Sequence, residues 1–140
     1  MASRGNRNSR SGFTLIELMI AGVIMVVAVM TTMATQVRVL DLVKTTRETN
    51  LAMADLQAAM EQLMLVQFDN VHVAGSVYAD GQAVAAFNGL HLTTEAITCD
   101  YPGYVAGATV PSPLTIVLTC TWSDWRGRAR TLQLSTARTR

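Results

Sequence analysis

The sequence has little charge and few cysteines and histidines, and each shortage excludes a class of protein. Lys, Arg, Asp and Glu make up 15% of the 140 residues, and the formal net charge is +1. That is too little charge for a disordered chain or a dedicated nucleic-acid-binding protein. With 2 Cys and 2 His, a four-ligand zinc site would need all four side chains to converge. We therefore expect a single folded domain with no metal and no cofactor.

Catalytic motifs are also missing from the sequence. No Ser, His and Asp stand at spacings that support a triad, and no glycine-rich phosphate loop follows a predicted strand. We expect that the protein is not an enzyme.

The apolar residues are concentrated in one run, residues 13–34. The run reads FTLIELMIAGVIMVVAVMTTMA, and Glu17 is its only charged residue. About 20 apolar residues are enough for a helix to cross a bilayer, so we predict a membrane helix over 13–35. Three arginines lie within residues 1–12. The positive-inside rule then places 1–12 in the cytoplasm and 36–140 outside it.

The helical pattern continues beyond the predicted membrane segment. No proline occurs before Pro102, and no glycine occurs between Gly22 and Gly75. Apolar residues recur there at spacings of three and four. The pattern predicts one helix over 14–66, exposed or bent at the polar stretch 44–50, whose second half has an apolar stripe covered by the rest of the chain.

The C-terminal half has the patterns of a small antiparallel sheet. Apolar and polar residues alternate over 114–122 and again over 129–136, and 123–128 has the length and composition of a hairpin turn. A third strand is predicted near 90–98, and 69–89 reads as loop. The predicted fold is α+β, with the distal half of a long helix on this sheet.

Glu17 does not fit a plain membrane anchor. An ionised carboxylate in the bilayer costs about 2.5–3.5 kcal/mol and calls for a partner. Cleavage between Gly12 and Phe13 would create an α-ammonium at Phe13, four residues before Glu17 and on the same helix face. That amine could pair with its own Glu17 or with the Glu17 of a neighbouring copy, and either pairing would fix a register.

These residues carry a family resemblance. The segment Ser11-Gly12-Phe13-Thr14-Leu15-Ile16-Glu17-Leu18 resembles the processing site of type IV pilins and of type II secretion pseudopilins. The resemblance implies that prepilin peptidase removes the leader 1–12 after Gly12 and methylates the amine of Phe13. It also implies that Glu17 is the carboxylate needed for ordered assembly. The implied partners are the peptidase, other subunits contacted through the N-terminal helix, membrane lipid before assembly and the inner-membrane assembly machinery.

Two further features indicate a minor subunit of that family. The segment TWSDWRGRAR, residues 121–130, resembles the closing hairpin of V-type minor pilins and I-type minor pseudopilins. Many major pilins also carry a proline that kinks the membrane helix, and 13–35 has none. The resemblance therefore implies a structural and assembly subunit of a type IV pilus or a related secretion filament, first in the inner membrane and then in the filament.

The two cysteines are candidates for a disulfide. Cys99 and Cys120 both fall near predicted strands and would meet an oxidising compartment. A bond between them would stabilise a small sheet domain by about 2–4 kcal/mol. The alternative is two buried free thiols, and we expect the disulfide.

The remaining polar residues have simpler readings. His72 and His91 lack companions at ligand spacing and are predicted to be ordinary surface or strand residues. The arginines at 126–140 lie near two tryptophans, a composition that could bind nucleic acid, but a solvated turn and strand explains them more simply.

Two other functions remain open from the sequence. An ordinary signal peptide cut after Ala34 would release a secreted or periplasmic binding module. A permanent single-span anchor with a small domain would need no processing. Neither explains the position of Glu17.

Overall fold

The computed structural model describes residues 13–71, 73 and 75–140. The chain forms two compact units that divide after Asp41, and Leu42–Arg140 is the second of them. The elements in chain order are helix α1 (Leu15–Leu65), helix α2 (Phe68–Val71), strand β1 (Gln82–Ala83), a 3-10 turn (Ala85–Phe87), and strands β2 (Ala96–Asp100), β3 (Leu114–Ser123) and β4 (Ala129–Arg138). The predicted α+β fold, a long helix with a small antiparallel sheet, is confirmed.

Helix α1 is long and apolar enough to cross a membrane. It matches the helix predicted over 14–66 and continues without a break through the polar stretch 44–50. The threonine hydroxyls of its apolar segment are bonded to the helix: Thr31 and Thr32 donate to the Ala28 carbonyl at 2.9 and 2.8 Å, and Thr35 donates to the Thr31 carbonyl at 3.0 Å. Such bonds within the helix let hydroxyl groups sit in an apolar segment.

The sheet is a four-stranded antiparallel meander in the order β1-β2-β3-β4. Its longest ladder joins β3 to β4, from Leu114 opposite Arg138 to Ser123 opposite Ala129. Both strands were predicted within two residues of their observed ends. The turn between them lies within residues 123–128, as predicted.

The third strand begins later than predicted, at Ala96 instead of near residue 90. The cause is a local turn, because the Glu95 carboxylate accepts the backbone N–H groups of His91 at 2.9 Å and Leu92 at 3.0 Å. Those N–H groups are therefore unavailable to a ladder. Strand β1 lies in the segment predicted to be loop. It has two residues, both exposed, so no alternation marks it.

The core lies between one face of the sheet and the distal part of α1. The buried helix residues repeat at spacings of three and four: Ala52, Asp55, Leu56, Ala59, Met60 and Leu63. The buried residues of β3 alternate along the strand: Leu114, Ile116, Leu118, Cys120 and Trp122. The buried apolar residues of the helix and of β3 therefore pack together in one layer.

The end of α1 is tied to the end of β4. The guanidinium of Arg138 donates to the carbonyl oxygens of Val66 at 2.8 Å and Leu63 at 3.5 Å. The last carbonyls of a helix lack partners within the helix and carry partial negative charge. Arg138 therefore caps the helix and fastens it to the edge strand.

Candidate functional site

The first candidate site is the beginning of α1, where Thr14 and Glu17 cap the helix reciprocally. Oε2 of Glu17 accepts the backbone N–H of Thr14 at 3.2 Å and its hydroxyl at 3.1 Å. The side-chain oxygen of Thr14, Oγ1, accepts the backbone N–H of Glu17 at 3.4 Å. With α1 beginning at Leu15, Thr14 is the N-cap and Glu17 the third helical residue, which is the arrangement of a capping box.

The capping box gives Glu17 a local role that the sequence analysis missed. The signal was present, since T-x-x-E directly before an apolar run is the sequence pattern of this motif. Gly12 lies outside the described residues, so cleavage after it stays a prediction, as does pairing of a Phe13 amine with Glu17. Phe13 itself is 81% exposed.

The second feature is the uncovered apolar surface of α1. All the large hydrophobic side chains from Phe13 to Val43 are between 47% and 81% exposed. The charged residues in this stretch are Glu17, Arg38 and Asp41. A contiguous apolar surface of this size marks a region that meets lipid or another protein.

The third feature is the tip of the β3–β4 hairpin, which folds back onto α1. The backbone N–H of Trp125 donates to Oε1 of Glu48 at 3.1 Å. Lys44 Nζ and the guanidinium carbon of Arg126 each lie 4.6 Å from the centre of the Trp125 ring, within the range of cation–π attraction. The indole is 43% exposed.

Asp124 organises this tip. Asp124 and Arg128 are joined by a backbone hydrogen bond, so the loop between them has three residues, 125–127. Its last residue is Gly127, whose φ of 74° is the left-handed conformation that such hairpin loops require. One Asp124 oxygen accepts the N–H groups of Arg126 and Arg128, both at 2.9 Å. The other accepts guanidinium N–H groups from Arg128 at 2.8 Å and Arg130 at 3.2 Å. The buried carboxylate thus fixes both the turn and two arginines.

These contacts control the ionisation of Asp124. Burial alone would raise the pKa of its carboxyl, but the hydrogen bonds from Arg128, Arg126 and Arg130 outweigh burial and lower the pKa to about 2. A carboxyl whose pKa is lower in the folded chain stabilises the fold above its unfolded pKa, roughly 4, and loses that contribution as pH falls through the folded value.

We predict that Asp124→Asn lowers the urea midpoint of the full chain in detergent at pH 7. The loss should shrink between about pH 4 and pH 2, because protonation of the wild-type carboxyl removes the same interaction. Unfolding curves of both proteins at pH 7, 4 and 2.5 provide the measurement. A difference that is the same at all three values would contradict the assigned role of the ionised carboxylate.

The predicted disulfide is not formed in the structure, which holds Cys99 and Cys120 as buried free thiols. In the β2–β3 ladder Cys99 lies opposite Leu118, and Cys120 lies opposite Ile97. The cysteines are therefore diagonal neighbours, and such pairs are about 7–8 Å apart, beyond the usual reach of a disulfide. Burial is the main cause that raises the pKa of Cys99 to about 11 and that of Cys120 to about 12.

His91 holds a loop against the helix. Its Nδ1 lies 2.9 Å from both carboxylate oxygens of the buried Asp55. The two residues are 36 positions apart, so no local sequence pattern indicates the contact. His72 lies outside the described residues. Among residues 13–71, 73 and 75–140, no group of three or more His, Cys, Asp and Glu side chains could hold a metal ion.

The candidate functional residues thus fall into two groups. Thr14 and Glu17 stand at the beginning of the uncovered apolar helix, while Trp125 and its basic neighbours form the hairpin tip against residues 44–48.

Comparison of the chain with protein-family models, with curated proteins and with solved structures gives no match.

Proposed function

We propose that this chain is a minor pilin or minor pseudopilin, a structural and assembly subunit of a type IV pilus or a related type II secretion filament. It is inserted in the inner membrane with 36–140 outside the cytoplasm. Prepilin peptidase removes residues 1–12, and the subunit then joins a filament through its N-terminal helix.

The observation that carries the proposal is the bare apolar surface from Phe13 to Val43. Nothing among the described residues covers it, and burial of apolar area is the main favourable term in folding and association. Such a helix is stable in lipid, and it can leave lipid only for another apolar surrounding. The packed helices of a filament core are such a surrounding.

Glu17 supports a filament over a permanent anchor. Among the described residues, its carboxylate accepts hydrogen bonds only from Thr14. In lipid a carboxylate is unfavourable, whereas a neighbouring subunit with a free Phe13 amine would supply an opposite charge. Transfer from lipid to filament is then favoured by one specific pairing, which also fixes the register of the incoming subunit.

The two alternatives predict other locations for the protein. A chain released by signal peptidase would be soluble outside the cytoplasm, and an unprocessed anchor would stay in the inner membrane. Both leave Glu17 with no role beyond its capping contacts with Thr14, although neither conflicts with the folded domain 42–140.

The test is the location of the tagged full-length protein in cells of its own species. Surface filaments are sheared off and pelleted, or pseudopilus-containing fractions are isolated, with an inner-membrane protein as the contamination control. We expect the chain in the filament fraction in excess of that control. Recovery only in the soluble fraction, or only in the membrane in filament-producing cells, would overturn the proposal.

A further inference from the structure

We propose that the hairpin tip, residues 123–128, together with Lys44 and Arg47, forms a surface that binds anionic phospholipid headgroups before assembly. The proposal rests on the proposed function, because it requires residues 13–35 to span the membrane. It assigns a partner to residues that the filament helix does not use.

The first step of the argument is the place of the tip along the chain. Lys44 directly follows Val43, the last of the exposed apolar residues that begin at Phe13. With residues 13–35 in the membrane, Lys44 lies nine helical residues, about 14 Å, beyond the end of the span, and the headgroup layer on each side of a bilayer is about 5–8 Å deep. Lys44 therefore lies within about a Debye length of the headgroups, and Trp125 is held on Lys44 and Glu48.

The second step is the chemistry of the surface. Its exposed basic side chains are Lys44, Arg47, Arg126 and Arg128, and the half-exposed Arg130 lies beside it in β4. The side chain of Asp124 is fully buried and pairs with Arg128 and Arg130. Oε1 of Glu48 accepts the Trp125 N–H, and Oε2 of Glu48 is buried with no hydrogen-bond partner among the described residues. Asp41 lies one helical turn before Lys44 and has an interaction of its own. Positive charge is thus in excess.

The third step is Trp125 itself. Tryptophan is enriched where one side of a ring meets hydrocarbon and the other meets water. Here the ring is part-exposed and flanked by two cations, while Asp124 and Gly127 fix the turn that presents it. The tip is therefore a rigid aromatic and basic surface, which suits an anionic interface.

Lipid is favoured over nucleic acid by position. A nucleic-acid surface needs basic residues facing open solvent along a path that a strand can follow. This cluster instead adjoins the apolar segment along the chain, where any bound strand would meet the negative membrane. Nucleic acid is the competing outcome in the test.

The experiment uses the full chain carrying Trp122→Phe, so that Trp125 is the fluorescent reporter. It is reconstituted into vesicles of phosphatidylcholine alone or mixed with phosphatidylglycerol, each containing a headgroup-labelled nitroxide lipid as quencher. We expect about twofold stronger quenching of Trp125 with phosphatidylglycerol at low salt, and loss of the difference at high salt.

Two variants make the test specific. Lys44→Gln combined with Arg126→Gln should remove most of the phosphatidylglycerol effect. Arg140→Gln is the matched control, since Arg140 pairs with Asp69 through a 2.6 Å contact at another place in the domain and is 72% exposed. Its quenching should equal that of the parent protein.

Each other result overturns the proposal in a recognisable way. Equal quenching in the two lipids, in a chain that resists carbonate extraction, contradicts headgroup binding and leaves membrane insertion intact. Extraction of the chain by carbonate would contradict membrane insertion itself, and with it the proposed function. A Trp125 response to an oligonucleotide but not to phosphatidylglycerol assigns the surface to nucleic acid.

Discussion

Glu17→Ala is expected to abolish recovery of the protein in the filament fraction while leaving cleavage after Gly12 intact. The carboxylate is the charged group in the apolar run 13–34, and its proposed partner is the Phe13 amine of a neighbouring subunit. Without it, the helix in lipid lies lower in energy and the filament loses its register contact. We expect a loss of at least tenfold in the filament-to-membrane ratio, measured by quantitative immunoblotting.

Three matched variants separate the charge of Glu17 from its capping role. Glu17→Gln keeps a residue that can complete a capping box and removes only the charge, so it should fail like Glu17→Ala. Thr14→Ala removes the cap at a cost of about 1 kcal/mol of local helix stability. It keeps the carboxylate, so it should still be recovered in the filament fraction. Thr14→Ser keeps the hydroxyl and should resemble wild type.

The capping interpretation makes the opposite prediction. If Glu17 acted only through the 3.1–3.2 Å contacts with Thr14, Thr14→Ala would match Glu17→Ala, and Glu17→Gln would assemble. Wild-type amounts of Glu17→Gln in filaments would therefore contradict the proposed assembly carboxylate. The N-terminal mass of each variant shows whether processing was preserved.

Leu118→Ala is expected to destabilise the domain 42–140 severely. Leu118 is fully buried in the middle of β3, opposite Cys99 of β2 and Leu134 of β4. Truncating a buried leucine removes apolar contacts and leaves a cavity that the sheet cannot close, which costs about 2–5 kcal/mol. Against a total stability of about 5–15 kcal/mol, this is a large fraction.

The measurement is the urea midpoint of the full chain in detergent, followed by tryptophan fluorescence. Leu65→Ala is the matched control, because Leu65 ends α1 and is 87% exposed. Its free energy of unfolding should stay within about 0.5 kcal/mol of wild type. Similar midpoints for the two variants would contradict the placement of Leu118 in the core.

The sequence was sufficient for the elements whose side-chain pattern repeats many times. Helix α1 contains no proline and has a long apolar run, and strands β3 and β4 alternate over ten residues each. Strand β1 could not be predicted, since two exposed residues carry no periodicity. The start of β2 was misplaced because the Glu95 side chain takes the N–H groups of the preceding turn.

The candidate site was predictable where it is local in sequence. Glu17 was singled out by its position, and the pattern T-x-x-E would have revealed the Thr14 cap. The hairpin turn was also predicted, but its docking on Glu48 joins residues 77 positions apart. The Cys99–Cys120 pairing failed for a related reason, because spacing and compartment say nothing about register, and register put the thiols on a diagonal.

The most direct test of the central claim is the intact mass and N-terminal peptide of the protein purified from membranes of its own cells. We predict a chain that begins at Phe13 and carries one methyl group on its amine. A chain that begins at Thr35 would contradict a filament subunit in favour of a secreted protein. An uncut chain in cells with active prepilin peptidase would contradict it in favour of a permanent membrane anchor.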